Sequence, residues 1–319
     1  MLRTAFAVLA AASLVTSAGN AQEVTLRAVS AFAEKTLFAR NFERFLDRVN
    51  ETGKGQIKIN YIGGPRAMPP FEVGNAVRTK VIDIANVPGA FYTNLMPEAE
   101  AAKLLTKPMS EQRKDGTWEL LNQVHNQKVN AQYLARQFAN VPFHIFLNKK
   151  IDKPDFTGLK IRVTPIYRDI VEALNGAAIT TAPGEVYTAL ERGVVDGYGW
   201  PVLGIFDFSW EKVTKFRLEP PFYGAEVNVL VNLDVWKGLS DAQRKILNDA
   251  ALWLEALDQE SVAAIKAERD RQAQAGIQAI DFGPAQSAEF LKKANDVAWA
   301  SVIKRAPDAG PKLRQLAGN

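Results

Sequence analysis

Arg162 closes the run Gly158-Leu159-Lys160-Ile161-Arg162-Val163-Thr164-Pro165, and its side chain has the chemistry of an anion clamp. A guanidinium is planar and permanently charged, and it offers five N–H donors in a fixed fork that a carboxylate meets with two parallel hydrogen bonds. In an extended segment Leu159, Ile161 and Val163 line one face and Lys160 and Arg162 the other, until Pro165 ends the ladder. Arg162 is therefore expected near the carboxyl end of a strand, where open α/β sheets bind their ligands. On this segment alone an ordinary surface or salt-bridged arginine is the favoured reading.

Other chemistries find less support. The chain has no cysteine, which removes thiolate nucleophiles, disulfides and most structural zinc sites. Its two histidines, His125 and His144, are not at ligand spacing, so a histidine-rich metal site is excluded, and no cofactor is expected. Glu185 and Asp196 offer paired carboxylates for acid–base work in a secreted two-lobed hydrolase, the alternative function. Both lie where a helix starts or a strand ends, and no Gly-x-Ser-x-Gly elbow accompanies them. A formal net charge of +4, with basic residues scattered among acidic ones, gives no stripe for nucleic acid.

The elements that must position Arg162 form two similar sets. Val24 to Val29 reads as a strand, Thr36 to Val49 as an amphipathic helix, Ile57 to Ile62 as a strand, Pro70 to Thr79 as a helix and Val81 to Ala85 as a strand. Phe143 to Leu147 and Leu159 to Val163 are strands, Ile166 to Leu174 and the stretch from Pro183 to Gly193 are helices, and Val194 to Gly197 is a strand. Ala76 to Asp83 echoes Ala189 to Asp196: a helix end, a tight turn, two β-branched residues and an aspartate. Asp83 and Asp196 are expected to tie turns at strand ends. This is an α/β chain of two lobes with a cleft between them, where small ligands usually go.

Ser240-Asp241-Ala242-Gln243 is a capping box, and helix formers continue from it to about Ala275, with Gly276 as the stop. At 1.5 Å per residue such a helix reaches roughly 50 Å, enough to span both lobes; two helices with an unmarked break are the other reading. Met1 to Ala21 has the charged start, short apolar run and small-residue end of a secretory signal, too short to span a bilayer. A periplasmic protein that is not itself membrane-spanning is expected. The domain reading is signal peptide 1–21, lobe 1 over 22–140 with return segment 226–255, and lobe 2 over 141–225 with C-terminal segment 256–319.

Gly158 to Val163, followed by Glu185-Val186-Tyr187-Thr188-Ala189-Leu190-Glu191-Arg192-Gly193-Val194-Val195-Asp196-Gly197, resembles the extracytoplasmic solute-binding subunits of tripartite ATP-independent periplasmic (TRAP) transporters. Weaker similarity runs over nearly the whole mature chain, through Thr52-Gly53-Lys54-Gly55, Gly63-Gly64-Pro65 and Val231-Asn232 before Trp236. The resemblance implies a two-lobed periplasmic binding protein of type II-like fold with a long helix across both lobes. It also implies a small organic carboxylate as ligand, membrane permease subunits as partners, and no catalysis.

By the same resemblance, Arg162 pairs with the ligand's carboxylate and Trp200 forms a wall of the pocket. Tyr198 and Tyr223 are candidates to pack beside it, Arg136 matches a second family arginine, and Phe32 sits where the first lobe contributes to the cleft. Each has a structural alternative as core, hinge or staple. The chain departs from the oxo-acid-binding branch at Gly199, where that branch has a glutamate that helps to hold a metal ion. An aromatic or keto acid suits these walls. A sensor using the same binding lobes is a further alternative.

Overall fold

The alternating residues at the start of the described chain build strand β1 (Val24–Ser30), and eleven more strands follow: β2 (Ile57–Gly63), β3 (Ile84–Val87), β4 (Ala131–Gln137), β5 (Pro142–Leu147), β6 (Lys160–Val163), β7 (Ala177–Thr180), β8 (Gly197–Pro201), β9 (Phe216–Glu219), β10 (Tyr223–Gly224), β11 (Val227–Asn232) and β12 (Gln278–Asp281). The structure, a computed structural model, describes residues 23–139 and 141–318; the leader expected over 1–21 lies outside them.

The strands sort into two sheets, one per lobe. The first has the order β2-β1-β3-β11-β4; the second has β12-β9-β5-β8-β6-β7, with β10 on β5. In both, a parallel triplet (β2-β1-β3 and β7-β6-β8) is followed by one antiparallel strand that arrives from the other lobe, β11 and β5 respectively. Parallel neighbours need a crossover, and the helices that supply it cover the sheet faces. Phe38, Phe42, Phe45, Leu46 and Val49 of the helix Leu37–Thr52 are all buried, as their helical spacing requires.

The echo in the sequence is an echo in hydrogen bonds. Val81 and Ile82 both donate to the Ala76 carbonyl, and Val194 and Val195 both donate to that of Ala189. The Asp83 carboxylate accepts the Arg27 N–H while its own N–H donates to the Arg27 carbonyl, and Asp196 does the same with Lys160. These bonds correct two strand boundaries. Val81 and Val194 are exposed turn residues, and β3 and β8 begin three residues later than alternation predicts. A pair of β-branched residues after a helix reads as a strand, but here their N–H groups are held by the helix they follow.

The helix opened by the Ser240–Gln243 capping box is continuous in path but bent. Asp241–Ala256 packs on Leu37–Thr52 and β4, and Asp258–Gln274 continues beyond a break at Leu257, whose φ of −66° and ψ of −12° are tighter than α-helical. The bend has a cause in the chain passing between the lobes. The Asp258 carboxylate accepts the Phe138 N–H at 2.5 Å and the Ala139 N–H at 2.9 Å, at the end of β4.

Candidate functional site

Loops at the carboxyl ends of β1, β3, β6 and β8 meet around a cleft with about 470 Å³ of empty volume, counting its mouth. Phe32 follows β1, and Pro88, Ala90 and Phe91 follow β3. Thr164 and Tyr167 follow β6, Trp200 and Pro201 end β8, and Ala225 to Val227 lead into β11. Topology thus delivers the cleft at the strand ends, as it does in open α/β sheets generally.

Arg162 lines this cleft and is 0 % exposed. Its Nε and Nη2 donate to the Thr181 carbonyl at 3.0 and 2.7 Å, and its Nη1 donates to the Tyr167 hydroxyl at 3.0 Å. Tyr167 in turn donates to the Gly199 carbonyl at 3.0 Å. Three of the five N–H donors are committed to neutral oxygens, leaving one on each terminal nitrogen, the pair that makes a two-pronged contact. Arg162 forms no ion pair among the described residues. A dehydrated cation with only neutral partners strongly favours an incoming anion.

Trp200 and Phe32 bring the two lobes together over it. The Arg162 guanidinium carbon is 5.8 Å from the centre of the Trp200 ring, and Phe32 and Phe38 meet that ring edge-on at 6.4 and 5.5 Å. The lobes therefore stand closed, with aromatic walls and one charged group.

Gly199 is small because Tyr167 occupies its side-chain space. A Cβ there would stand 2.5 Å from Tyr167 Cε2 and 2.8 Å from Phe143 Cε1. A glutamate at this position has no room while Tyr167 stacks there. Among the described residues there is also no cluster of three His, Cys, Asp or Glu side chains with the geometry of a metal site.

The structure does not bring the other three candidates into the cleft. Tyr198 shares a face with Trp200 but lies two residues back along β8, roughly 7 Å deeper. There it stacks on Phe146 at 5.1 Å and shares a hydrogen bond with the Thr214 hydroxyl. Tyr223 turns toward the long helix Gly283–Arg305, donating to the Ala294 carbonyl at 2.9 Å with Lys103 over its ring. Arg136 is fully buried beside the cleft rather than in it, with Nη1 and Nη2 directed at the Ala102 and Leu105 carbonyls.

The groups named for alternative chemistry have structural duties. Glu185 accepts the Ala182 N–H at its helix start, and Asp196 accepts the Lys160 N–H and pairs with Lys149. His125 lies between the Tyr92 hydroxyl and the Leu121 carbonyl, and His144 is within 2.8 Å of the Leu218 carbonyl. Burial pulls them down to about 4 and about 3, so both rings are neutral at pH 7.

Sequence reasoning missed two residues of the site. Tyr167, on the turn Pro165–Tyr167 just past Arg162, orients the guanidinium; its position directly after the arginine strand was the available signal. Glu226 lines the cleft from the segment entering β11. The signal there was a lone acid in the mostly apolar stretch Phe222 to Val231. Burial pushes Glu226 up to about 8, against the attraction of Arg136 and hydrogen bonding from the Ala90 N–H.

Comparison with known proteins places this arrangement. The family of bacterial extracellular solute-binding proteins, family 7 (DctP), matches residues 28–305. A solute-binding protein of Roseobacter denitrificans is 22% identical over 255 residues, which cover 77% of each chain. The Bordetella pertussis extracytoplasmic solute receptor DctP7, solved binding pyroglutamic acid, superposes with a TM-score of 0.83 at 18% identity, over 93% of this chain and 100% of that one. A TRAP periplasmic solute-binding protein of Desulfovibrio salexigens with bound orotic acid gives 0.79 at 21% identity, over 92% and 97%. At these identities the likeness to the solved structures is one of fold.

Proposed function

We propose a function that proceeds from the family to which this chain belongs, the bacterial extracellular solute-binding proteins of family 7: it is the periplasmic receptor of a TRAP transporter. It captures a small organic monocarboxylate between its lobes and delivers it to membrane permease subunits, without catalysing a reaction on it. No helix among the described residues is long and apolar enough to cross a membrane. The moving units in this reading are lobe 1, over 22–140 with 226–255, and lobe 2, over 141–225 with 256–319.

One observation carries the ligand class: a fully buried Arg162 whose protein partners are all neutral and whose two terminal nitrogens each keep one N–H. Aromatic walls from Phe32, Phe91, Phe143 and Trp200 suit a flat or compact apolar body behind that carboxylate. The pyroglutamate and orotate held by structural neighbours share the flat or compact shape, with polar groups on the ring. Contacts to both lobes select the closed state, which is what a permease would read.

Isothermal titration of the protein with a set of small carboxylates and their methyl esters or amides tests the reading. Binding of an acid, with loss of binding for its neutral ester, is the expected result. Equal binding of acid and ester overturns it.

A further inference from the structure

Glu226 is the one acid among the residues lining the cleft. It is 5% exposed, and its Oε2 is buried with no hydrogen-bond partner among the described residues. Its Oε1 faces the start of the turn after β3, where the Ala90 N–H points at it from 3.4 Å. Gly89 makes this approach feasible: a Cβ there would come within 3.0 Å of Oε1 and 2.9 Å of the Ala99 carbonyl. A buried carboxyl oxygen left without a partner is costly, whereas burying one that meets a ligand group is not.

We propose that Glu226 is the second recognition group of the cleft, its Oε2 meeting an uncharged oxygen, a carbonyl or a hydroxyl, on the same ligand whose carboxylate Arg162 holds. This rests on the receptor reading and narrows it, from any small monocarboxylate to one that also carries such an oxygen. With burial pushing Glu226 up to about 8, the group is protonated at neutral pH and Oε2 can donate. The cleft then joins a buried cation to neutral donors, Glu226 and the unpaired Trp200 indole N–H, among aromatic walls, which suits a monoanion with a polar group. The two groups come from opposite lobes: Arg162 ends a strand of the second, and Glu226 sits against the Gly89–Ala90 turn of the first. A ligand touching both bridges the closure.

Calorimetric titration with matched acids tests this. Pyroglutamate is compared with cyclopentanecarboxylate, lactate with propionate, and 4-hydroxybenzoate with benzoate, each pair differing in the polar group. The natural protein is expected to favour the oxygenated member of at least one pair by tenfold or more. Glu226→Leu should abolish that preference while still binding the plain acid, and Glu226→Gln, which keeps a donor, should retain it within about threefold. Circular dichroism on each variant confirms that it is folded.

Equal affinity within every pair, or a preference that survives Glu226→Leu, overturns the assignment of Glu226. If those acids still bind and Arg162→Ala abolishes them, the carboxylate receptor stands without it. Failure of the natural protein to bind any of the six acids overturns both.

Discussion

Asp207, on the second lobe, caps a helix of the first: its Oδ2 accepts the backbone N–H of Leu37 at 2.6 Å. The helix Leu37–Thr52 begins there with no cap from Thr36 and no acid in its own first turn. A cap contributes about 1 kcal/mol, and this one forms only while the lobes are shut. It therefore acts as a latch. Asp207→Ala is expected to weaken ligand affinity about fivefold, the factor that about 1 kcal/mol implies, and to raise the radius of gyration of the ligand-free protein in X-ray scattering. An unchanged radius and affinity would show the contact to be incidental.

Arg162 separates charge from geometry. Arg162→Ala should lower carboxylate affinity by more than a hundredfold, because the ligand's charge would then be buried without a partner. Arg162→Lys keeps the charge but loses the fork, and should recover only part of the affinity. Since Arg162 has only neutral partners in the protein, the melting temperature of ligand-free Arg162→Ala should stay close to the natural value. Calorimetry and thermal melts read both.

The parts of this molecule legible in its sequence are those governed by local pattern. Alternation marked β1, β2 and β5, and the capping box at Ser240 marked the long helix, because each is written in consecutive residues. The repeated aspartates at 83 and 196 announced paired lobes. What stayed hidden depends on contacts distant in the chain. The bend at Leu257 exists because Asp258 reaches the N–H groups of Phe138 and Ala139. Tyr198 and Tyr223 have the right chemistry for the cleft, but strand depth and the packing of the Gly283–Arg305 helix decide where their rings go. Glu226 drew no reading from the sequence, because its burial comes from segments distant in the chain.

Trp200 should report closure. It meets Phe32 across the cleft and Trp210 within its own lobe at 4.8 Å, so a ligand against its face changes its emission directly. Trp200→Phe is expected to remove most of the ligand-induced fluorescence change while keeping an aromatic wall. A variant that retains the full signal would move the reporter to another tryptophan.

Gly199 and Tyr167 together predict how the site responds to metal removal. With Tyr167 in the side-chain space of position 199, exhaustive chelation should leave carboxylate affinity unaltered in calorimetry. Gly199→Ala should push the Tyr167 ring away from Arg162 Nη1 and weaken binding at least tenfold. A clear loss of affinity on chelation alone would overturn the metal-free reading of this cleft.

The pH dependence of stability has a definite sign at Glu226. Its carboxyl is raised to about 8 in the fold from an ordinary value of 4.5, chiefly by burial, so the folded chain binds a proton that the unfolded chain releases between those values. Stability attributed to this group is complete below about pH 4.5 and is lost as pH rises through 8. Glutamine has no proton to lose. The melting temperature of Glu226→Gln relative to the natural protein should therefore rise steadily from pH 5 to pH 8 and level off above it. Arg136, the charge that most favours ionised Glu226, limits the size of the effect, and an Arg136→Met background should enlarge it. A difference in melting temperature that stays flat across the range would mean that Glu226 is already ionised at pH 5.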